Sequence, residues 1–401
     1  MQIDRAVIEI NGGCNYTCQM CPQTTDDGKT GARGKEWTGR MGLDEFERYV
    51  AQCAEAGLGV VNLDGSGEAT IMRNLPDYIN IVSSYDAKSV IFSNGYRMSG
   101  NFMEECVDAG LGFFRFSIVG YDYDTYSKWM NSDNFYRVIT NLHEMKRYVV
   151  KSKADTVVGT YHLVLDNDNI DYEVKRYQDI VKSAHCVTEI WKMHNWSGVY
   201  DPDYDRKGEK KTCGRPFSPD IVIRAGGLNG KTGAVHPCCQ VLGRDSEAVL
   251  GHGSTTSLKD IWYGDAYNTL RKQHEMGDYP DFCNSCDFLI DDPETLVYTN
   301  HDRENYKMYG TSMIIDKKAY VISLDNNLSN IEQSWLDQGF DLEAFEATTP
   351  DTIPPNGPLV FGDKVRDQQR GLDNPIVSFT DAEKAIWYSH YNLWHLCQYV
   401  D

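Results

Sequence analysis

The first two hundred residues alternate short apolar, β-branched runs with longer stretches whose apolar positions recur at helical spacing. The strand-like runs are 5–10, 59–63, 89–92, 113–117, 156–165 and 188–193. Between them, residues 43–56, 75–84, 103–109, 135–149 and 172–183 carry the helical period. In the first of these, Leu43, Phe46, Val50 and Cys53 fall close to one face. Repeated strand–helix alternation predicts an α/β fold, a parallel sheet covered by helices. About six units fit the length, so an open, partial (β/α)6 barrel is expected rather than a closed ring of eight.

The pattern then changes. Residues 200–212 are polar and turn-rich, which predicts a boundary. From Cys213 to about Asp287 short strands, turns and paired cysteines take over. A new α/β pattern begins near Lys318, with a strand at 319–324, a helix at 330–338, a loop rich in Pro, Gly and Asp, and a final aromatic-rich helix at 381–399. The expected organisation is a core over 1–200, a small metal-binding domain over 201–300 and an α/β segment over 315–401. No internal repeat or low-complexity tract interrupts it.

Composition changes this picture little. The 401 residues are 41% hydrophobic and 24% charged, as in ordinary globular chains. The net charge of −20 argues against nucleic acid or an anionic membrane surface as a partner. No apolar run is long enough for a membrane-spanning helix. The first residues lack the basic-then-apolar layout of a signal peptide, so a cytoplasmic protein is expected. Nothing in the pattern fixes the oligomeric state.

The twelve cysteines change the picture more. In a reducing compartment they do not form a disulfide framework. Eight are grouped, as Cys14/Cys18/Cys21, Cys213, Cys238/Cys239 and Cys283/Cys286, which favours metal. Cys53, Cys106, Cys186 and Cys397 are scattered and read as small buried hydrophobes. In the first group, Gly12, Gly13 and Asn15 suit a sharp loop leaving the first strand. Three thiolates can hold three irons of a [4Fe–4S] cube and leave the fourth iron open. A structural zinc ion would need a further ligand from a distant part of the chain. Either centre would sit at the C-terminal mouth of the sheet, where α/β folds place their chemistry.

The spacing Cys14-x3-Cys18-x-x-Cys21 after a first strand resembles the signature of radical S-adenosylmethionine enzymes. That resemblance implies a catalytic [4Fe–4S] cluster on these cysteines. Its open iron would chelate S-adenosyl-L-methionine, and an electron from an external donor would release a 5′-deoxyadenosyl radical. Asp64-Gly65-Ser66-Gly67-Glu68 resembles the family's glycine–glycine–glutamate segment, which implies that Gly65, Ser66, Gly67 and Glu68 meet the methionine amino group. Ser93-Asn94-Gly95 resembles the family's threonine–asparagine–glycine turn, and Ser117 stands where a serine meets the ribose. There are two departures. Met20 stands where an aromatic residue stacks near adenine, and Lys128 stands near where an arginine pairs the cofactor carboxylate.

The second cysteine set can fill a [4Fe–4S] cluster or a zinc site completely. Cys213-Gly-Arg-Pro-Phe, Gly233-x4-Cys238, Ser257-Leu-Lys-Asp-Ile-Trp262 and Cys283-x-x-Cys286 resemble the SPASM/twitch domains that follow radical S-adenosylmethionine cores. Their likeness implies one auxiliary [4Fe–4S] cluster on Cys213, Cys238, Cys283 and Cys286, since the further cysteines of full SPASM domains are absent. Cys238 fits the Gly-x4-Cys spacing better than Cys239 and is taken as the ligand. Residues 319–401 loosely resemble the front of family 25-type glycosyltransferases, without their later acidic motif.

The reading that follows is a radical oxidoreductase. It abstracts hydrogen from a small-molecule or peptide substrate, and the auxiliary cluster accepts an electron. A sugar-like alcohol is favoured slightly over a peptide, the alternative being a peptide-modifying maturase. A reading of another class is a non-catalytic, metal-stapled binding protein. Iron content separates these, because two cubanes require about eight irons per chain.

Overall fold

The computed structural model describes residues 1–24, 34–201, 208–290 and 296–301, and the backbone of 317–323 and 340–346. Six parallel strands follow one another in chain order: β1 (Arg5–Ile8), β2 (Val60–Asn62), β3 (Lys88–Ser93), β4 (Leu111–Ser117), β5 (Val157–Val164) and β6 (Val187–Lys192). Helices α1 (Leu43–Ala54), α2 (Leu75–Ser84) and α3 (Gly100–Asp108) make the first three crossovers. The fourth uses α4 (Tyr123–Met130) and α5 (Phe135–Ser152), and the fifth α6 (Ile170–Val181).

β1 and β6 do not pair with each other. The free side of β1 takes β7 (Asp220–Arg224) in parallel, with Arg5 opposite Asp220. β8 (Ala234–His236) and β9 (Gly251–His252) then follow antiparallel. The free side of β6 takes β10 (Leu296–Thr299), also antiparallel. The result is one ten-stranded sheet, β10-β6-β5-β4-β3-β2-β1-β7-β8-β9. The parallel part is the open six-unit barrel expected from the pattern. Helices α7 (Leu258–Trp262), α8 (Asp265–Met276) and α9 (Asp281–Asn284) complete the later region.

Parallel strands covered on both faces must bury both sets of side chains. The outer set, including Ile8, Val61, Ile91 and Phe114, joins helix residues Phe46, Tyr78, Leu142 and Met145 in the main core. The inner set forms a second apolar layer of Val60, Val90, Phe113 and Val187. Two residues further along the strands, the period of two puts Asn62, Phe92, Arg115 and Glu189 on this inner face. Two further on stand Asp64, Asn94, Ser117, Tyr161 and Trp191. The inside of the barrel therefore grades from an apolar floor to a polar mouth.

The hydrophobic period does not reveal α4, which buries only Tyr126 and Met130. Its start is written instead in a capping box, where the Asp122 side chain and Thr125 exchange bonds with each other's backbone N–H. Cys53, Cys106 and Cys186 are buried as expected, while Cys397 lies outside the described residues. A separate compact unit spans Ile314–Asp401. In it β11 (Lys317–Ser323) pairs in parallel with β12 (Phe340–Glu346), and β11 overlaps the strand expected at 319–324. The helices expected at 330–338 and 381–399, and most of the glycosyltransferase-like stretch, lie outside the described residues. Among the described residues no helix is long and apolar enough to cross a membrane.

Candidate functional site

The three clustered cysteines sit on the loop after β1, held from two sides. On one side the loop after β2 lies against its root. The Asn11 side-chain amide donates to the carbonyls of Gly13 (2.6 Å) and Glu68 (3.0 Å), and the Glu68 N–H donates to Gly13 O (2.8 Å). A Cβ on Gly67 would stand 2.0 Å from Asn11 O, so only glycine allows this approach. Glu9, fully buried just beyond β1, accepts from the N–H and the hydroxyl of Ser66, both at 2.8 Å. It also faces Arg224 of β7 at 3.6 Å, which in turn faces Asp245 at 3.6 Å.

On the other side α4 grips the cysteine loop. Tyr16 and Tyr126 share a hydrogen bond between hydroxyls (3.3 Å), and Gln19 N–H donates to Trp129 O (3.0 Å). The Asn131 amide donates to Thr17 Oγ1 (2.8 Å), and Cys18 Sγ meets Met130 Sδ at 3.9 Å. Neither Glu9, Asn11, Tyr16 nor α4 was singled out by the sequence pattern. The acid at position 9 inside a strand buried on both faces was the available signal.

Burial, Glu68 and Cys21 push the Cys14 thiol up to about 12. Burial, then Cys21 and Cys14, hold Cys18 well above the ordinary thiol value. Cys14 and Cys18 thus resist ionising beside Cys21 unless a cationic centre compensates them. That is the donor set an iron–sulfur cube requires. Among the described residues no three His, Cys, Asp or Glu groups converge on the position of a single ion. A cube, which takes one sulfur at each of several irons, does not need such convergence.

The cofactor-binding residues expected from sequence are placed as follows. Gly65, Ser66, Gly67 and Glu68 all lie against the root of the cysteine loop. The Glu68 carboxylate accepts from Thr70 N–H (3.0 Å), Thr70 Oγ1 (2.7 Å), Ser93 Oγ (2.7 Å) and Asn94 N–H (2.9 Å). It thus ties the loops after β2 and β3 together. The Asn94 amide reaches across to Asn15 Oδ1 (2.9 Å) in the cysteine loop. Ser117 ends β4, half-buried, on the inner face. Met20 is only 5% exposed and packs in the main core, its carbonyl accepting from the Trp196 indole N–H at 3.0 Å. Lys128 is exposed on α4, with its ammonium 5.5 Å from the ring of Trp129.

A charged layer lies inside the barrel beneath this mouth. The Arg115 guanidinium stacks over the rings of Phe92 (3.4 Å) and Tyr161 (4.0 Å) and stands 3.8 Å from Glu189. Glu189 also accepts from the Trp191 indole N–H (3.1 Å) and faces His301 Nε2 at 3.2 Å. Burial pushes the Asp64 carboxyl up to about 6, with Arg115 and the Phe92 N–H working against it. The folded state therefore holds this proton more tightly than the unfolded chain, so stability falls as pH rises from about 4 to about 6. Above that window the charged group costs stability. Asp64→Asn is expected to melt higher than the wild type at about pH 8, with the gap closing as pH falls through about 6 toward 4. A gap independent of pH would show that Asp64 is not the group responsible.

The second cysteine set forms its own pocket. Cys213, Cys238, Cys283 and Cys286 line it together with Arg215, Phe282, Phe288 and Leu289. Cys239 does not line it. β8 leads into Cys238, α9 presents Cys283, and a turn with Cys286 N–H donating to Cys283 O (2.9 Å) brings up the last thiol. Burial raises Cys238 to about 12 and Cys286 to about 11 despite the nearby Arg215. As at the first site, several thiols facing one pocket fit a group that takes them as thiolates.

An open parallel barrel thus carries three thiols at its mouth, and a four-thiol pocket follows it. Residues 8–177 match the model of the radical SAM superfamily, and residues 230–287 match the iron–sulfur cluster-binding domain called SPASM. The chain is a radical SAM enzyme with a SPASM domain, and these domains carry S-adenosylmethionine and iron–sulfur clusters. It is 20% identical over 284 residues to the S-adenosyl-L-methionine-dependent 2-deoxy-scyllo-inosamine dehydrogenase of Niallia circulans, covering 70% of this chain and 90% of that one. It is 24% identical over 162 residues to the GTP 3′,8-cyclase of Nautilia profundicola, covering 39% and 48%. Its fold is similar to that of SuiB from Streptococcus suis bound to the precursor peptide SuiA, with a TM-score of 0.52 at 13% identity, covering 72% and 70%.

Proposed function

We propose that this enzyme removes a hydrogen atom from the carbinol carbon of a small polyhydroxylated molecule and leaves a carbonyl. The observation that carries the proposal is the second pocket. Four thiols line it beside Arg215 and mostly apolar side chains, so a cluster there would be fully ligated by protein and suited to taking an electron rather than binding substrate. The likeness to a dehydrogenase over 90% of that enzyme's length supports an alcohol rather than a peptide.

In this reading Cys14, Cys18 and Cys21 hold the cluster that supplies the electron for cleaving S-adenosylmethionine. Gly65–Glu68 and Asn94 frame the cofactor side of the mouth. Ser117 and the inner layer of Asp64, Arg115 and Tyr161 face the substrate side. Cys213, Cys238, Cys283 and Cys286 hold the auxiliary cluster. The electrons balance. The substrate's hydrogen atom goes to the deoxyadenosyl carbon, its hydroxyl proton leaves to solvent, and the remaining electron goes to the auxiliary centre. An external donor restores the first cluster.

The test uses cyclitols and amino-cyclitols deuterated at the carbinol carbons, incubated anaerobically with reduced enzyme and S-adenosylmethionine. Deuterium in 5′-deoxyadenosine together with a ketone product is expected. Deuterium transfer from peptides alone would replace this reading with that of a peptide-modifying enzyme.

A further inference from the structure

We propose that Arg215 sets the reduction potential of the auxiliary centre, as a fixed positive charge against the four-cysteine pocket that makes a cluster held there easier to reduce. Three other arginines drawn largely out of water meet carboxylates. Arg5 pairs with Asp220 at 2.6 Å, Arg115 with Glu189, and Arg224 with Glu9 and Asp245. Arg215 differs. Among the described residues its partners are a sulfur and a ring: Nη1 donates to Cys239 Sγ at 3.5 Å, and the guanidinium carbon stands 5.5 Å from the Phe288 ring centroid. No carboxylate forms an ion pair with it there.

A charge drawn partly out of water needs a compensating partner. Arg215 lines the same pocket as Cys213, Cys238, Cys283 and Cys286, and its guanidinium reaches Cys239 Sγ at the edge. A cluster held by these cysteines as thiolates would be the negative group that this arginine faces. The relation also runs the other way. Reduction adds a negative charge to a cluster, and a guanidinium in the pocket wall favours the reduced form over the oxidised one. Local backbone fixes the placement. Gly214 takes a left-handed turn (φ 73°), and Pro216 follows inside the short turn Arg215–Phe217.

The same geometry gives the adjacent cysteine a role. Cys239 lies outside the pocket and holds the guanidinium at its edge, so it is a positioning residue and not a ligand. The inference rests on the auxiliary cluster of the proposed function and not on the identity of the substrate.

The test is a redox titration followed by electron paramagnetic resonance, on full-length protein carrying Cys14→Ala, Cys18→Ala and Cys21→Ala so that only the auxiliary centre is seen. Arg215→Met is expected to lower the midpoint potential, with iron content and signal shape retained. Arg215→Lys, which keeps the charge, is expected to stay near the parent. An iron-loaded Arg215→Met protein at the parent's potential overturns the inference, as does a lysine variant that falls as far as the methionine one. A folded Arg215→Met protein that no longer takes up iron also overturns it, because the arginine then serves assembly. A parent without iron removes the auxiliary cluster itself and the inference with it.

Discussion

Cys18→Ala is expected to reduce 5′-deoxyadenosine formation to the level of a protein-free control. Iron should fall from about eight per chain to about four, because the auxiliary cysteines are untouched. Cys18 is the middle cysteine of the loop and packs against Met130 of α4. The fold should survive its loss. Tyr16–Tyr126, Thr17–Asn131 and Gln19–Trp129 still hold the loop, so the melting temperature should move little. Anaerobic product assay, iron analysis and melting on one preparation read all three effects. Undiminished 5′-deoxyadenosine from the variant would remove the first cysteine set from the chemistry.

Breaking the ion pairs of Arg224 should have the largest effect on stability. Arg224 is 1% exposed between Glu9 (0%) and Asp245 (2%). Arg224→Met leaves two carboxylates buried without their arginine, a change that costs about 3–5 kcal/mol. In a chain of this size that lowers the melting temperature by roughly 5 °C. Glu9 also holds Ser66 and accepts from Ala225 N–H at 3.3 Å, so the loop beside the cysteines should loosen as well. Adding Glu9→Gln to Arg224→Met should recover part of the loss, since one uncompensated charge is removed. A single variant within about 1 kcal/mol of the wild type would mean that neighbouring groups already carry the charge of Glu9 and Asp245.

The barrel was legible because its strands carry dense apolar runs and its helices carry a clean period. The helix expected at 75–84 is found as Leu75–Ser84, and the strand expected at 113–117 grows only to Leu111–Ser117. What escaped was set by single polar residues. α4 has too few buried positions to show a period, and only the Asp122–Thr125 pair marks it. The inner charged layer brings together Asp64, Arg115, Glu189 and His301, which are spread over more than two hundred residues of sequence. No local pattern encodes such a meeting. Glu68 was legible as a residue of the site. That its carboxylate would receive four protein donors was not, because those donors belong to two different loops.

β1 lies between β2 and β7, paired on one side to residues 60–62 and on the other to residues 220–223. Glu9, at the root of the cysteine loop, likewise waits for Arg224 and Ala225. On a ribosome the cysteine loop is among the first parts made, yet its anchor is completed only after the chain has grown past residue 225. Contacts this distant in sequence form late in folding. The root of the loop that carries Cys14, Cys18 and Cys21 thus receives its last tie from a part of the chain beyond Cys213, when the sheet is extended by β7.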